Sequence, residues 1–268
     1  MNSENLERKI VDVNGLKMSY IQLGDPTSKK SIVIIHGSTF NALGMVPYGR
    51  LYANKGYNVV LVDTPGHYGD LAQSKSVFSE LTDSVAEFMK VLIKEGKLNS
   101  KSIVQGWSLG GSIAYDIAIR YGDIVECIGS VDGSSNWNNL DLGHITDYDN
   151  KIEALTAFLN NLKSSNVSQE VVDRLASELP LTTASPEACN NDFAIDKVLN
   201  VDSGLPHINI PVYAFYGSVD TLTTLEKQKE IMSNLKHGKL FVGEGYGHMA
   251  VIEDPEYVFN AFNEMMLE

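Results

Sequence analysis

Cysteine is scarce here. The chain has only Cys127 and Cys189, too few for a disulfide framework. Cys127 falls in an apolar run, where a thiol serves as a small hydrophobe. Long hydrophobic runs are also missing. No apolar stretch reaches the ~18 residues that a membrane span needs. The opening residues MNSENLERK show no basic-then-apolar leader pattern. Basic charge is short: 21 Lys and Arg stand against 34 Asp and Glu, for a net charge of −13. That excess argues against nucleic acid or an anionic membrane surface as partner, and makes an acidic carrier protein a less natural one. No cluster of His, Cys, Asp and Glu has metal-ligand spacing, so no metal is expected. These absences describe a cytoplasmic globular protein with no membrane partner and no cofactor.

What is present is an alternation of apolar runs and helical stretches. Lys9 to Val13 and Lys17 to Gln22 read as two strands around Asn14-Gly15, a hairpin signal. Ser31 to His36, Asn58 to Val62, Ser102 to Gln105 and Val125 to Val131 are continuous apolar runs, as expected of strands buried on both faces of a parallel sheet. Pro211 to Gly217 and Lys239 to Val242 complete eight strands. Between them, helical spacing predicts helices over Pro47 to Lys55, from an N-cap at Ser79, over Gly111 to Tyr121, over Leu225 to Leu235, and after Asp254-Pro255. The pattern predicts an α/β fold: a mostly parallel eight-stranded sheet with helices on both faces and an antiparallel N-terminal edge.

The alternation breaks between residues 134 and 207. That stretch is richer in Asn, Asp and Ser, with helical patches at Lys151–Leu162, Ser168–Glu178 and Cys189–Leu199. Ile152, Leu155, Phe158, Leu159 and Leu162 keep helical spacing, which marks a helical insertion and not a linker. Residues 1–133 and 208–268 then form the core.

Gly106-Trp107-Ser108-Leu109-Gly110 has the form G-x-S-x-G between a strand and a helix. A serine at such a turn is strained, with its hydroxyl exposed. Serine needs an adjacent base to act as a nucleophile at neutral pH. Of six histidines, His248 is placed best, in a glycine-rich loop past the last strand. A carboxylate must orient the imidazole. Asp220 is the first choice, and Asp132, also just past a strand, stays open beside it. His36 and His67 read as loop-holding residues, and His144, His207 and His237 as solvated or capping ones. An oxyanion needs N–H donors: Leu109 at the helix start, and Ser38 (or Thr39) in the loop after His36. Phe40, Trp107, Trp137 and Met249 are candidates to line an apolar substrate pocket, as is Phe158.

These residues bear a resemblance. His36-Gly37, Asp63-x-Pro65-Gly66-His67, the Gly106–Gly110 turn, Gly217-x-x-Asp220 and Gly247-His248 resemble, in that order, the motifs of the α/β-hydrolase fold superfamily. Gly106 to Gly111 is similar to the nucleophile turn of the pimeloyl-carrier methyl esterases. Gly66-His67-Tyr68-Gly69-Asp70 departs from the Gly-His-Gly-x-Ser common in the superfamily. The resemblance implies an α/β-hydrolase fold in which the insertion is a helical cap. It also implies a serine hydrolase of a small or medium carboxylic ester, thioester or lactone. C–C bond hydrolysis, amide hydrolysis, perhydrolysis, hydroxynitrile cleavage and a ligand-binding role on the same scaffold remain open. A dehalogenase would need aspartate at position 108.

Overall fold

The computed structural model describes residues 6–69, 73–137 and 151–267. Asp70, His144 and part of the predicted insertion lie outside the described residues.

The first hairpin joins β1 (Arg8–Val13) to β2 (Leu16–Leu23). Asn14 and Gly15 both have positive φ, 54° and 89°, as the tight turn requires. Then follow β3 (Ser31–Ile35), α1 (Val46–Asn54), β4 (Asn58–Val62), α2 (Phe78–Lys94), β5 (Ser102–Trp107), α3 (Leu109–Arg120) and β6 (Val125–Val131). Three helices intervene: α4 (Lys151–Leu162), α5 (Gln169–Thr182) and α6 (Pro186–Asp196). The chain closes with β7 (Val212–Gly217), α7 (Leu225–Ser233), β8 (Gly238–Gly243), a four-residue turn of helix α8 (Ala250–Glu253), and α9 (Pro255–Leu267).

One eight-stranded sheet results, in the order β1-β2-β4-β3-β5-β6-β7-β8. The hairpin forms its antiparallel edge, and β3 to β8 run parallel. All residues of β3, β4 and β5 are buried, because helices cover both faces. Ile32, Ile34, Val59 and Leu61 point to one side, among Tyr48, Tyr52, Phe259 and Phe262 of α1 and α9. Val33, Ile35, Val60, Val62 and Val104 point to the other, among Leu81, Phe88, Ile113 and Ile117 of α2 and α3. From β3 the chain winds to β4 on one side and, through α2, to β5 on the other. Such a reversal opens a crevice beyond the carboxyl ends of the strands. No helix among the described residues is long and apolar enough to cross a membrane.

Several helix ends shift by two to four residues from expectation, α5 for instance running on to Thr182, and two starts have an identifiable cause. Ser79 does not cap α2. The cap position is Val77, without a side-chain hydrogen bond, and the Ser79 carbonyl accepts from Arg120 Nη2 at 3.1 Å. A cap contributes about 1 kcal/mol, and packing of Phe78 against the core pulls the start of the helix forward. The third helical patch begins at Pro186 and not at Cys189. Ser185 Oγ accepts from Ala188 N at 3.2 Å and Pro186 takes the first turn, a start signal present in the sequence. Buried Leu155, Leu159, Val172 and Leu179 of α4 and α5 join the core that contains Phe40, Met249 and Ile252.

Candidate active site

Ser108 is the single residue between β5 and α3, at φ 55° and ψ −119°. A non-glycine residue there costs about 1–3 kcal/mol and persists only where its surroundings enforce it. The surroundings are close-packed backbone. A Cβ on Gly106 would lie 1.9 Å from the Gly110 oxygen, and one on Gly110 would lie 2.5 Å from the Ile35 oxygen. Glycine at both positions therefore lets the helix start against the strand ends. Ser108 N donates to Val131 O at 2.9 Å, and Ser108 O accepts from Gly111 N at 2.9 Å. With its backbone held, the side chain turns outward into the crevice.

His248 reaches Ser108 from the loop after β8. Its Nε2 is 2.9 Å from Ser108 Oγ, and its Nδ1 is 2.8 Å from Asp220 Oδ2. The carboxylate assigns the ring proton to Nδ1, which leaves the Nε2 lone pair facing the serine hydroxyl. The other oxygen of Asp220 accepts from Leu222 N at 2.7 Å. Trp107 Nε1 donates to His248 O at 2.8 Å, and Gly247 N to Ser164 Oγ at 2.9 Å. Both bonds pin the histidine loop from below.

Asp132 faces elsewhere. Its Oδ1 accepts from Gly217 N at 2.7 Å, and its Oδ2 has no partner among the described residues. Burial, and then the charge of Asp220, push this carboxyl well above the usual carboxylate range. The hydrogen bond it accepts from Gly217 N ties the end of β6 to the end of β7.

The loop after β3 brings the remaining predicted donors to the crevice. His36 is buried and neutral. Burial first, then the neighbouring His67, lower its pKa well below the ordinary value. Its Nε2 accepts from Thr64 N at 3.2 Å and its Nδ1 donates to Gly37 O at 2.9 Å. Thr39 N is already engaged, donating to Asp192 Oδ2 at 2.7 Å. Ser38 lines the crevice beside Ser108, and Leu109 opens α3 directly after it; the first N–H groups of a helix have no intrahelical acceptor.

Residues 26–255 match the family model Hydrolase_4, described as serine aminopeptidase, S33. The chain belongs to this family. It is a serine hydrolase of the α/β-hydrolase superfamily. It is 22% identical to a pimeloyl-[acyl-carrier protein] methyl ester esterase of Vibrio cholerae serotype O1, over 89% of this chain and 93% of that one. It is 25% identical to a 2-hydroxy-6-oxononadienedioate/2-hydroxy-6-oxononatrienedioate hydrolase of Burkholderia vietnamiensis, over 100% of this chain and 97% of that one. In fold it is similar to a hydrolase from Pseudomonas aeruginosa PA01, with a TM-score of 0.82, 16% identity, and 99% of each chain covered.

In this hydrolase the crevice narrows to a small cavity of about 20 Å³, room for about one water molecule. Ser108 and His248 line it together with all four expected pocket residues, Phe40, Trp107, Trp137 and Met249. Phe40 packs edge-on against Trp107, with ring centroids 4.9 Å apart. Trp137 is anchored by its Nε1, which donates to Ser112 Oγ at 2.8 Å. Phe158 of α4 and Phe193 of α6 also line the cavity.

Sequence reading missed Asp192 and Asp196 of α6. Asp192 accepts from Thr39 N and also meets His67 Nε2 at 2.9 Å. Burial alone would discharge His67, but the Asp192 charge and hydrogen bond outweigh it and raise the imidazole pKa. Asp196 lines the cavity, and its Oδ2 accepts from Ser38 Oγ at 2.7 Å. The available signal was their i, i+4 spacing around Phe193, which puts both on one helix face.

Proposed function

We propose that this hydrolase cleaves a small or medium carboxylic ester through an acyl-enzyme on Ser108. Ser108 Oγ attacks the carbonyl carbon while His248 Nε2 takes its proton. Asp220 holds the imidazole and stabilises the imidazolium. The N–H groups of Leu109 and Ser38 receive the oxyanion; loss of one such donor typically costs ~2.7–4 kcal/mol in the barrier. His248 returns its proton to the departing alcohol. It then activates a water that hydrolyses the acyl-enzyme, and Ser108 is regenerated. Helices α4 to α6 act as a cap over this chemistry, and their Phe158 and Phe193 face the acyl group.

The observation that carries the reading is the unbroken contact from Ser108 Oγ through His248 to Asp220, at 2.9 and 2.8 Å, beneath a strained turn. The names of the esterase relatives agree with it. The dioate hydrolase relatives raise C–C bond cleavage as a second reading. Their named substrates carry two carboxylates, yet among the described residues no Lys or Arg lines this cavity, so a neutral ester fits it better. A free ester also suits a net charge of −13 better than an acyl group on an acidic carrier protein.

A fluorophosphonate probe tests the nucleophile. Covalent labelling should fall on Ser108 and vanish in Ser108→Ala, together with turnover of short p-nitrophenyl esters. An unlabelled wild type would remove Ser108 from this role. Labelling without turnover on an acyl-length series of esters, lactones and thioesters would instead indicate a ligand-binding protein.

A further inference from the structure

Apart from Ser108 and His248, the polar wall of the cavity consists of Ser38 and Asp196; Phe40, Trp107, Trp137, Phe158, Phe193, Leu222 and Met249 are apolar. Asp196 is 4% exposed. Its Oδ2 has one donor, Ser38 Oγ, and its Oδ1 has no partner among the described residues. A buried ionised carboxylate gathers two or three donors, and this one has a single donor. Its nearest charged neighbour on α6 is another carboxylate, Asp192. That donor count suits the protonated acid. Its O–H is a buried donor with no acceptor among the described residues, on a side chain that borders the cavity.

We propose that Asp196 and Ser38 form a specificity subsite for an uncharged oxygen, a hydroxyl or oxo group, on the acyl chain of the substrate. This rests on the ester reading above. Ser38 is the proposed holder of the carbonyl oxygen through its N–H, and its side chain is bonded to Asp196, so the favoured oxygen lies a few bonds from the scissile carbonyl. The largely apolar wall, with no Lys or Arg among its described residues, disfavours acyl chains that end in a carboxylate. Burial pushes the Asp196 carboxyl up to about 8, which keeps it a donor at neutral pH. The titratable groups around it are Asp192 on the same helix, His67 behind Asp192, and His248 across the cavity.

The test compares kcat/KM for p-nitrophenyl 3-hydroxybutyrate and p-nitrophenyl butyrate in the same enzyme. The wild type should prefer the hydroxyacyl ester by about tenfold, the worth of one hydrogen bond. It should discriminate against p-nitrophenyl hydrogen succinate. In Asp196→Leu the preference should fall to about one. In Asp196→Asn, whose amide N–H can donate as the acid does, it should survive within about threefold. Should the leucine variant not fold, pH supplies the same test. The wild-type preference for p-nitrophenyl 4-oxopentanoate, whose extra oxo oxygen can only accept, over p-nitrophenyl pentanoate should decline as pH rises through about 8, and the same ratio in Asp196→Asn should stay flat. A pH effect on the shared attack step acts on both esters and cancels in the ratio. Equal turnover of both esters by the wild type, abolished by Ser108→Ala, would overturn the subsite and leave the esterase reading standing. A preference for p-nitrophenyl 4-aminobutyrate that Asp196→Asn abolishes would also overturn it, because the carboxyl would then be an ionised cation site. No turnover of any ester would sink the esterase reading, and the subsite with it.

Discussion

Replacing Asp196 by Asn should stabilise the folded hydrolase, by an amount that grows with pH. The carboxyl titrates at about 8 in the fold against 3.8 ordinarily, chiefly because burial disfavours its charged form. Between those values the folded chain keeps a proton that the unfolded chain has lost. Stability therefore falls as pH rises through this window; the penalty is absent below the unfolded value and complete above about 8. The slope is about 1.4 kcal/mol per pH unit. Moving from pH 5 to pH 7, both inside the window, costs the wild type about 3 kcal/mol that the asparagine variant does not lose. Asparagine is nearly isosteric and still accepts from Ser38. Urea unfolding of both proteins at pH 5, 6 and 7 gives the difference directly, because all other titrating groups cancel. The variant's advantage should widen by about 3 kcal/mol across the series. Stability differences that stay constant with pH would mean an ionised Asp196 in the folded state, and the reasoning would fail.

Asp220→Asn should reverse the tautomer held at His248 and lower kcat by roughly 10³–10⁴-fold, whereas Asp132→Asn should stay within several-fold of wild type. Steady-state ester kinetics decide this, and comparable losses would share the role between the two acids. Asp192→Asn should leave His67 without its charge partner, at a cost of about 3 kcal/mol or more. The His67 pKa is raised in the fold, so the pair stabilises fully below the unfolded histidine value, and its contribution is lost as pH rises through the folded one. Thermal unfolding at pH 6 and pH 9 should therefore show the larger deficit at pH 6; an equal deficit would mean a neutral His67.

The sequence by itself determined the order of elements, because that information is local. An apolar run such as Asn58 to Val62 can only be a strand buried on both faces, and all five residues are buried. Gly106 and Gly110 made the Ser108 turn legible, since only glycine fits where backbone meets backbone. Element ends were less legible: Ser79 is a good cap locally, yet the packing of Phe78 outweighs it. Asp220 was the first choice for the acid, but Asp132, also just past a strand, stayed open beside it. Tertiary structure alone distinguishes them, as Gly217 N claims Asp132 while Asp220 turns to His248. Ser38 was the preferred second donor with Thr39 as its alternative, and Asp192, distant by 153 positions, occupies the Thr39 N–H. Neighbour-to-neighbour periodicity specifies which strand or helix forms. Which of several similar polar groups meets the nucleophile depends on partners carried in by distant segments, and only the packed chain brings those together. The Ser108 turn was spelled by five adjacent residues; the wall that Asp196 gives the acyl group came from α6.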